Sequence, residues 1–391
     1  MLAALALATG IGLAILWPGD DPGGTDLGGL VAGETEAAEV VGISAEGCEA
    51  LAGPGCRLVL FELRSGPNEG EQSALTLPGG DALAPELQPG DSVRVLRNVP
   101  SGIDPALARE LPIDDVSTQP FAFVDFERRA PLVWLAIAFA ILVIAFGRGR
   151  GALSLIGLAA SLALVIAFVA PAILDGAAPL PVAIVGALAI MFVTVALTHG
   201  ANAKSAAAML GTAASLLLTA LLALAFVELA HITGLSSEEA TLLQGSAPGE
   251  LSLQGLVLAG MVIGALGVLD DVTVSQASTV MALRRANPAQ HAGELYRNAL
   301  AVGRDHLGAT VNTLVLAYAG AALPVLLIFS SQGTSVGEAL NREPVATEVV
   351  AMLVGSIGLI VAVPLTTAVA AALASRLPAS ALPEHGHEHT H

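Results

Sequence analysis

Seven stretches of this chain, residues 131–147, 152–174, 181–198, 206–232, 252–269, 307–329 and 346–374, run for 17 to 29 residues with at most one Asp, Glu, Lys or Arg apiece. An eighth, 2–17, is nearly as long. A helix needs about 20 apolar residues to cross a hydrocarbon core about 30 Å thick, and a water-soluble core has no reason to repeat that length. The expected fold is a membrane all-α bundle of about eight transmembrane helices, joined to one small β-domain. Composition agrees, with 54% hydrophobic and 13% charged residues where a soluble protein carries about a quarter charged.

The β-domain is expected in residues 31–127. Short β-prone runs at 39–43, 57–63 and 92–96 are divided by Gly53-Pro54-Gly55, Pro78-Gly79-Gly80 and Pro89-Gly90-Asp91, which are turn signals. An OB-like barrel or a sandwich suits that spacing. Residues 1–17 read as an anchor helix, 18–30 as a Gly- and Asp-rich linker, 131–374 as a seven-helix membrane domain, and 375–391 as a disordered His-rich tail. Cys48 and Cys56 are the only cysteines; both fall in the β-domain, where an oxidising compartment favours a disulfide between them.

Orientation follows from the basic residues between spans. With the β-domain outside, the cytoplasmic segments hold Arg148, Arg150, Lys204, Arg284, Arg285, Arg297, Arg304 and Arg376, against Arg342 in the outer loops. Both termini are thus expected in the cytoplasm and residues 18–130 outside it. Most of the acidity behind the net charge of −18 lies in 18–127 and around Glu238 and Glu343, as a solvated outer surface. No basic block has the footprint of a nucleic-acid binder.

The segment Gly267-Val268-Leu269-Asp270-Asp271-Val272-Thr273-Val274-Ser275-Gln276 carries the strongest chemical signal. Its hydrophobic pattern continues past the aspartates, which places two carboxylates inside the membrane, in its cytoplasmic half. An ionised side chain there costs at least about 2.5 kcal/mol and faces a cavity or a partner. Two adjacent carboxylates also resist simultaneous ionisation, which favours a proton-responsive site. Helical spacing puts Ser275 on the face of Asp271 and Thr273 near Asp270. The bland alternative is a span that ends at Leu269. The next helix is expected to open at Gly303-Arg304-Asp305-His306 and to carry Asn312 and Thr313, with Arg304 as a counter-charge and Asn312 as a site-lining group or plain interhelical glue. His199 and Asn202, in the turn before Lys204, line an inner vestibule or form an ordinary basic loop. Glu228 and His231 sit near an outer helix end. His385, His387, His389 and His391 are weak metal candidates. No resident metal or cofactor is expected. The chain lacks a nucleotide-binding glycine loop, HExxH and a nucleophile elbow, so no enzymatic activity is expected.

The sequence resembles the YibE/F-like family of bacterial membrane proteins through Asp125-Phe126-Glu127-Arg128-Arg129-x-Pro131-Leu132, His199-Gly200, Gly267 to Thr273, and Gly303-Arg304-Asp305-His306 leading to Val311-Asn312-Thr313-Leu314. These motifs cover most of residues 30–330. The resemblance implies a multi-pass protein of the bacterial plasma membrane with an N-terminal domain outside the cytoplasm, and names no cargo. Gly264-x-x-Gly267-x-x-Asp270-Asp271-x-Thr273-Val274, followed by Arg304 to Pro324, is more faintly similar to the fourth and fifth helices of RND-type exporters and of SecD/SecF. That likeness implies that Asp270 and Asp271 are proton-coupling positions and that a half-unit of this kind dimerises. The chain differs in its extra spans 131–147 and 152–174, its much smaller outer domain and its lack of an intramembrane lysine.

The leading expectation is an ion- or proton-coupled permease or exporter in contact with the lipid bilayer. The competing one is a scaffold or sensor whose outer domain, residues 31–127, binds an envelope component or partner protein.

Overall fold

A computed structural model describes residues 1–19, 35–44, 55–78, 85–97, 121–236, 243 and 251–377. The elements run α1 (Leu2–Leu16), β1 (Glu36–Ser44), β2 (Arg57–Leu63), β3 (Gln72–Leu77), β4 (Ser92–Arg97), β5 (Phe121–Phe126), α2 (Arg129–Leu164), α3 (Ala170–Leu174), α4 (Pro179–His199), α5 (Ala203–Leu229), α6 (Leu253–Ala286), α7 (Ala292–Ala321), α8 (Leu323–Ser331), α9 (Val336–Leu340) and α10 (Glu343–Arg376). They fall into two compact units: residues 1–25 with 143–391, and residues 26–142. The His-rich tail from 378 and the loop around Glu238 lie outside the described residues.

In the smaller unit, alternation of buried and outward residues along each strand makes one face of a sheet apolar. All pairings are antiparallel, in the order β3-β2-β1-β4-β5. Register shifts at Val40/Gly42 and Arg94/Val95 mark β-bulges, which bend a strand and increase its twist. The end strands β3 and β5 also approach each other, so the sheet curls. Its interior is closed by Val40, Val59, Leu63, Leu75, Val93 and Val95 around an edge-to-face pair, Phe61 and Phe121, 5.4 Å apart. Cys56 is buried and disulfide-bonded, and no cysteine is free; Cys48 lies outside the described residues. Where β5 hands over to α2, Arg128 pairs with Asp125 and Arg129 with Glu127. Hydrogen bonding to those guanidinium groups holds both carboxyls below their usual range.

In the larger unit, α5, α6 and α10 pack against one another, α4 lies against α6, and α7 against α10. Small residues permit this closeness, as expected where lipid gives helices no hydrophobic reason to associate. A Cβ on Gly211 would overlap the Thr366 hydroxyl, and one on Gly358 the Thr219 hydroxyl. α1 belongs to this unit too: Gly12 packs on Val185, Trp17 stacks on Phe168 at 5.6 Å, and Gly19 N donates to Asp175 Oδ2 at 3.0 Å.

Five described helices are long and apolar enough to cross a membrane, or six if the bent pair α7 and α8 is one span. The eight apolar blocks map onto them unevenly. α1, at 15 residues, reaches about 22 Å at 1.5 Å per residue, short of the hydrocarbon core. Blocks 131–147 and 152–174 fall in one 46-residue helical run, Arg129–Leu174, broken at Arg148, where φ is 51° and ψ −135°. A Cβ on Gly151 would overlap the Val143 carbonyl, although eight residues of straight helix rise about 12 Å; the chain doubles back there. Further along, Pro171 has no N–H to give the preceding turn, and the helix widens into a π-turn over Val165–Val169.

Two expected boundaries are corrected. The helix expected to open at Gly303 begins at Ala292, because Glu294 and His291 form a capping box there. Block 307–329 is not straight: Pro324 stands at the start of α8, which bends 57° from α7.

Candidate functional site

The candidate site forms where α4, α5, α6, α7 and α10 meet. Helix α6 continues through the aspartates without a break, from its Ser252 cap to Ala286. Cross-helix contacts fix the depth of the pair. Thr194 Oγ1 lies 3.3 Å from Asp270 Oδ2, about one and a half turns before α4 ends at His199. The Thr212 and Thr273 hydroxyls are 2.6 Å apart, about 12 Å along α5 from Lys204 at 1.5 Å per residue. On α10, Thr366 lies against Gly211, nearly three turns before Arg376. Asp270 therefore sits about one to three turns from the basic residues that end α4, α5 and α10 at this side, and about four turns before Arg284 and Arg285 at the end of α6.

Asp270 is half-buried and Asp271 is exposed on the outer face of α6. Asp270 Oδ1 is buried with no hydrogen-bond partner. Its other oxygen faces the Thr194 hydroxyl, which also lies 2.9 Å from Ile190 O and 3.2 Å from Met191 O. One hydroxyl proton thus has three acceptors within reach. Thr273 is fully buried, and its hydroxyl donates to Asp270 O at 3.1 Å.

One turn and a half further along α6, Gln276 is locked. Its amide nitrogen donates to Ala299 O at 3.0 Å and to Thr367 Oγ1 at 2.7 Å, and Thr367 donates to Val363 O. Gly303 makes this approach feasible, because a Cβ there would stand 2.7 Å from both Gln276 Oε1 and Val363 Cγ1. The hydroxyls of Ser215, Ser356 and Thr366 are also buried without partners.

The remaining candidates lie elsewhere. Ser275, Arg304, Asn312 and Thr313 are exposed, and Thr313 turns its hydroxyl back to Ala309 O. Asn312 makes no hydrogen bond to the aspartates. Asn202 caps α5, its Oδ1 accepting from Ser205 N at 3.0 Å while its Nδ2 donates to His199 O at 2.7 Å; His199 Nδ1 lies 3.3 Å from Lys204 Nζ. Gly200 turns the chain between these residues at φ 71°. Glu228 and His231 line a cleft of ≈ 410 Å³ with Ile232, Thr233 and Gln254. No group of three metal-ligating side chains occurs among the described residues. Sequence reasoning missed Thr194, Thr212 and Thr367. Each is a lone threonine in an apolar helix, and only the register between helices reveals that it meets α6.

No curated protein and no solved structure matches this chain. A family model, described as YibE/F-like protein, matches residues 135–376. The match takes in the aspartates, Gly303 and all of α4 to α10, and it begins after the Asp125–Leu132 motif that had pointed the same way. The five helices that build the site are thus family property, and the chain belongs to the YibE/F-like protein family.

Proposed function

We propose that this membrane protein is an ion- or proton-coupled permease or exporter in which Asp270 and Asp271 take up and release protons. The observation that carries the reading is Asp270 Oδ1, buried without a partner on a helix that runs unbroken through the bundle. An ionised carboxylate so placed costs at least about 2.5 kcal/mol, which a purely structural position has no reason to retain. Thr194 supplies the exchange. When Asp270 is ionised, the threonine O–H turns to Oδ2. When Asp270 is protonated, it donates to Thr194 Oγ1, and the threonine proton returns to Ile190 O, the nearest of its acceptors. Charge is thereby gained and lost with little movement of the helices.

The protein sits in a bacterial plasma membrane with eight passes, the short α1 crossing where the bilayer thins to meet it, both termini in the cytoplasm and residues 18–130 outside. Support comes from the excess of basic residues in the inner segments and from the reversal of the chain at Arg148. The outer domain is an OB-like barrel, a reading supported by the strand order and the approach of β3 to β5. Its self-contained apolar core also favours the second reading, a scaffold or sensor that acts through residues 31–127.

Purified protein in liposomes with an imposed pH gradient and an internal pH dye separates the two. A panel of inorganic cations and small organic ions is added one at a time. At least one is expected to discharge the gradient through the native protein and none through Asp270→Asn/Asp271→Asn of equal monodispersity. Equal discharge by both proteins contradicts coupling through the pair. Loss of cellular function on deleting residues 31–127, with none from the aspartate changes, favours the scaffold.

A further inference from the structure

The outer surface of the helical unit is of two kinds. On α5 and α10 it carries large apolar side chains such as Leu221, Leu229 and Ile360, 65%, 72% and 48% exposed, which is what lipid chains accept. The face shared by α6 and α7 is different. Along α6 its outward stripe reads Gly260, Gly264, Gly267, Asp271, Ser275, and above Gly260 and Gly267 there is open space. On α7 the same side exposes Arg304 and Asn312.

Asp271 and Arg304 lie at neighbouring depths. Gln276 reaches Ala299 O and packs on Gly303, so position 276 of α6 is level with about 299–303 of the antiparallel α7. A turn and a half outward on both helices brings Asp271 level with the residues just beyond Arg304. Among the described residues, neither Asp271 nor Arg304 has an ion-pair partner. A carboxylate and an amide facing hydrocarbon are costly, and residues of this type normally turn to protein or water. Small residues beside them let another helix come close.

We infer that this face is the interface with a second copy of the chain. The two-fold axis runs along the membrane normal, so that Arg304 of one protomer reaches Asp271 of the other and the reverse. A two-fold interface is self-complementary, each patch meeting its own copy, and a face that carries both signs of charge at neighbouring depths meets that requirement. The apolar segment 131–147 of this same chain does not, since LVWLAIAFAILVIAF (132–146) carries no charge to answer Asp271 or Arg304, and its one polar side-chain group, the Trp134 indole N–H, lies near its start, far along the segment from Arg148. Closure by a second copy also completes the surroundings of Asp271 that the single chain leaves open. The inference stands on burial and charge alone, whether or not the pair moves protons.

Disulfide trapping in native membranes tests it. No native cysteine is free, so an introduced thiol is unique. Gly308→Cys and Ala319→Cys, exposed on the face of α7 that carries Arg304 and Asn312, are expected to trap a dimer under mild oxidation, while Leu221→Cys on the apolar surface remains monomeric. In the Ala319→Cys background, Arg304→Asp alone is expected to abolish the dimer band and Arg304→Asp/Asp271→Arg to restore it. The inference is overturned if neither α7 position yields more dimer than Leu221→Cys. It is also overturned if Arg304→Asp leaves the band unchanged, if the double reversal fails to restore it while the protein remains monodisperse, or if Ala319→Cys instead bonds within one chain to Phe139→Cys. A loss of transport without a loss of trapping bears on the proton pair and not on the interface.

Discussion

Two polar side chains on the same helix, Gln276 and Asp270, have opposite situations. Gln276 is 5% exposed, and both of its amide N–H groups are used across two neighbouring helices. Asp270 keeps one oxygen without a partner and shares the other with a threonine that has better acceptors. A satisfied buried amide ties helices together, whereas an acid left half-satisfied is stable only if it can shed its charge. The first is architecture. The second is the group to follow in a functional experiment.

Substitutions that attack the architecture should have the largest effects. Gly211→Leu drives a side chain into Thr366, whose Cβ and backbone Cα stand 2.9 and 3.2 Å from where even the first carbon would be. Overpacking of a core typically costs about 1–3 kcal/mol and sometimes more. Here no flexible neighbour can yield, so loss of the monodisperse species on size-exclusion chromatography is expected. Gln276→Ala strands Ala299 O and Thr367 Oγ1 and should lower stability by about 1–3 kcal/mol, seen as a reduced thermal midpoint in detergent. Asp270→Asn is the counterpart. It keeps the Thr194 contact and removes a costly charge, so its midpoint should equal or exceed that of the native protein at neutral pH. A midpoint as low as that of Gln276→Ala would erase the distinction between the two residues.

The smallest effect belongs to the exposed pair at the end of the sheet. Asp125 is held below its usual range by hydrogen bonds from Arg128 and then from Phe126 N. A carboxylate with a depressed folded pKa adds stability above its unfolded value, and that contribution is lost as pH falls through the depressed one. The difference in thermal midpoint between native protein and Asp125→Asn should therefore be slight at pH 7 and vanish in strong acid. A difference that grows on acidification contradicts the assignment.

The helical unit was largely legible because lipid imposes a length. Blocks such as 181–198 and 346–374 emerged within a few residues of α4 and α10. Boundaries set by polar chemistry were harder to read. The start of α7 depends on a capping box at His291 and Glu294, in a charged stretch where hydropathy is silent. Continuity through Asp270 and Asp271 was visible in the apolar pattern on either side. Asn312 was placed at a suitable depth along α7, but depth does not fix the rotation of a helix, and its side chain turns outward. The partners of Asp270 and Gln276 were hidden for the same reason, since Thr194 and Thr367 come from helices 76 and 91 positions away in sequence.

The central claim is that Asp270 is a protonatable carboxyl held within the membrane. Chemical labelling with a lipid-soluble carbodiimide, which attacks protonated carboxyls, tests it directly when run beside a water-soluble carbodiimide and read by peptide mass spectrometry. The account predicts that the lipid-soluble reagent modifies the peptide containing Asp270, increasingly as the buffer is acidified, and that the water-soluble reagent does so far less. Equal modification by both reagents would place the carboxyl in bulk water and contradict the account.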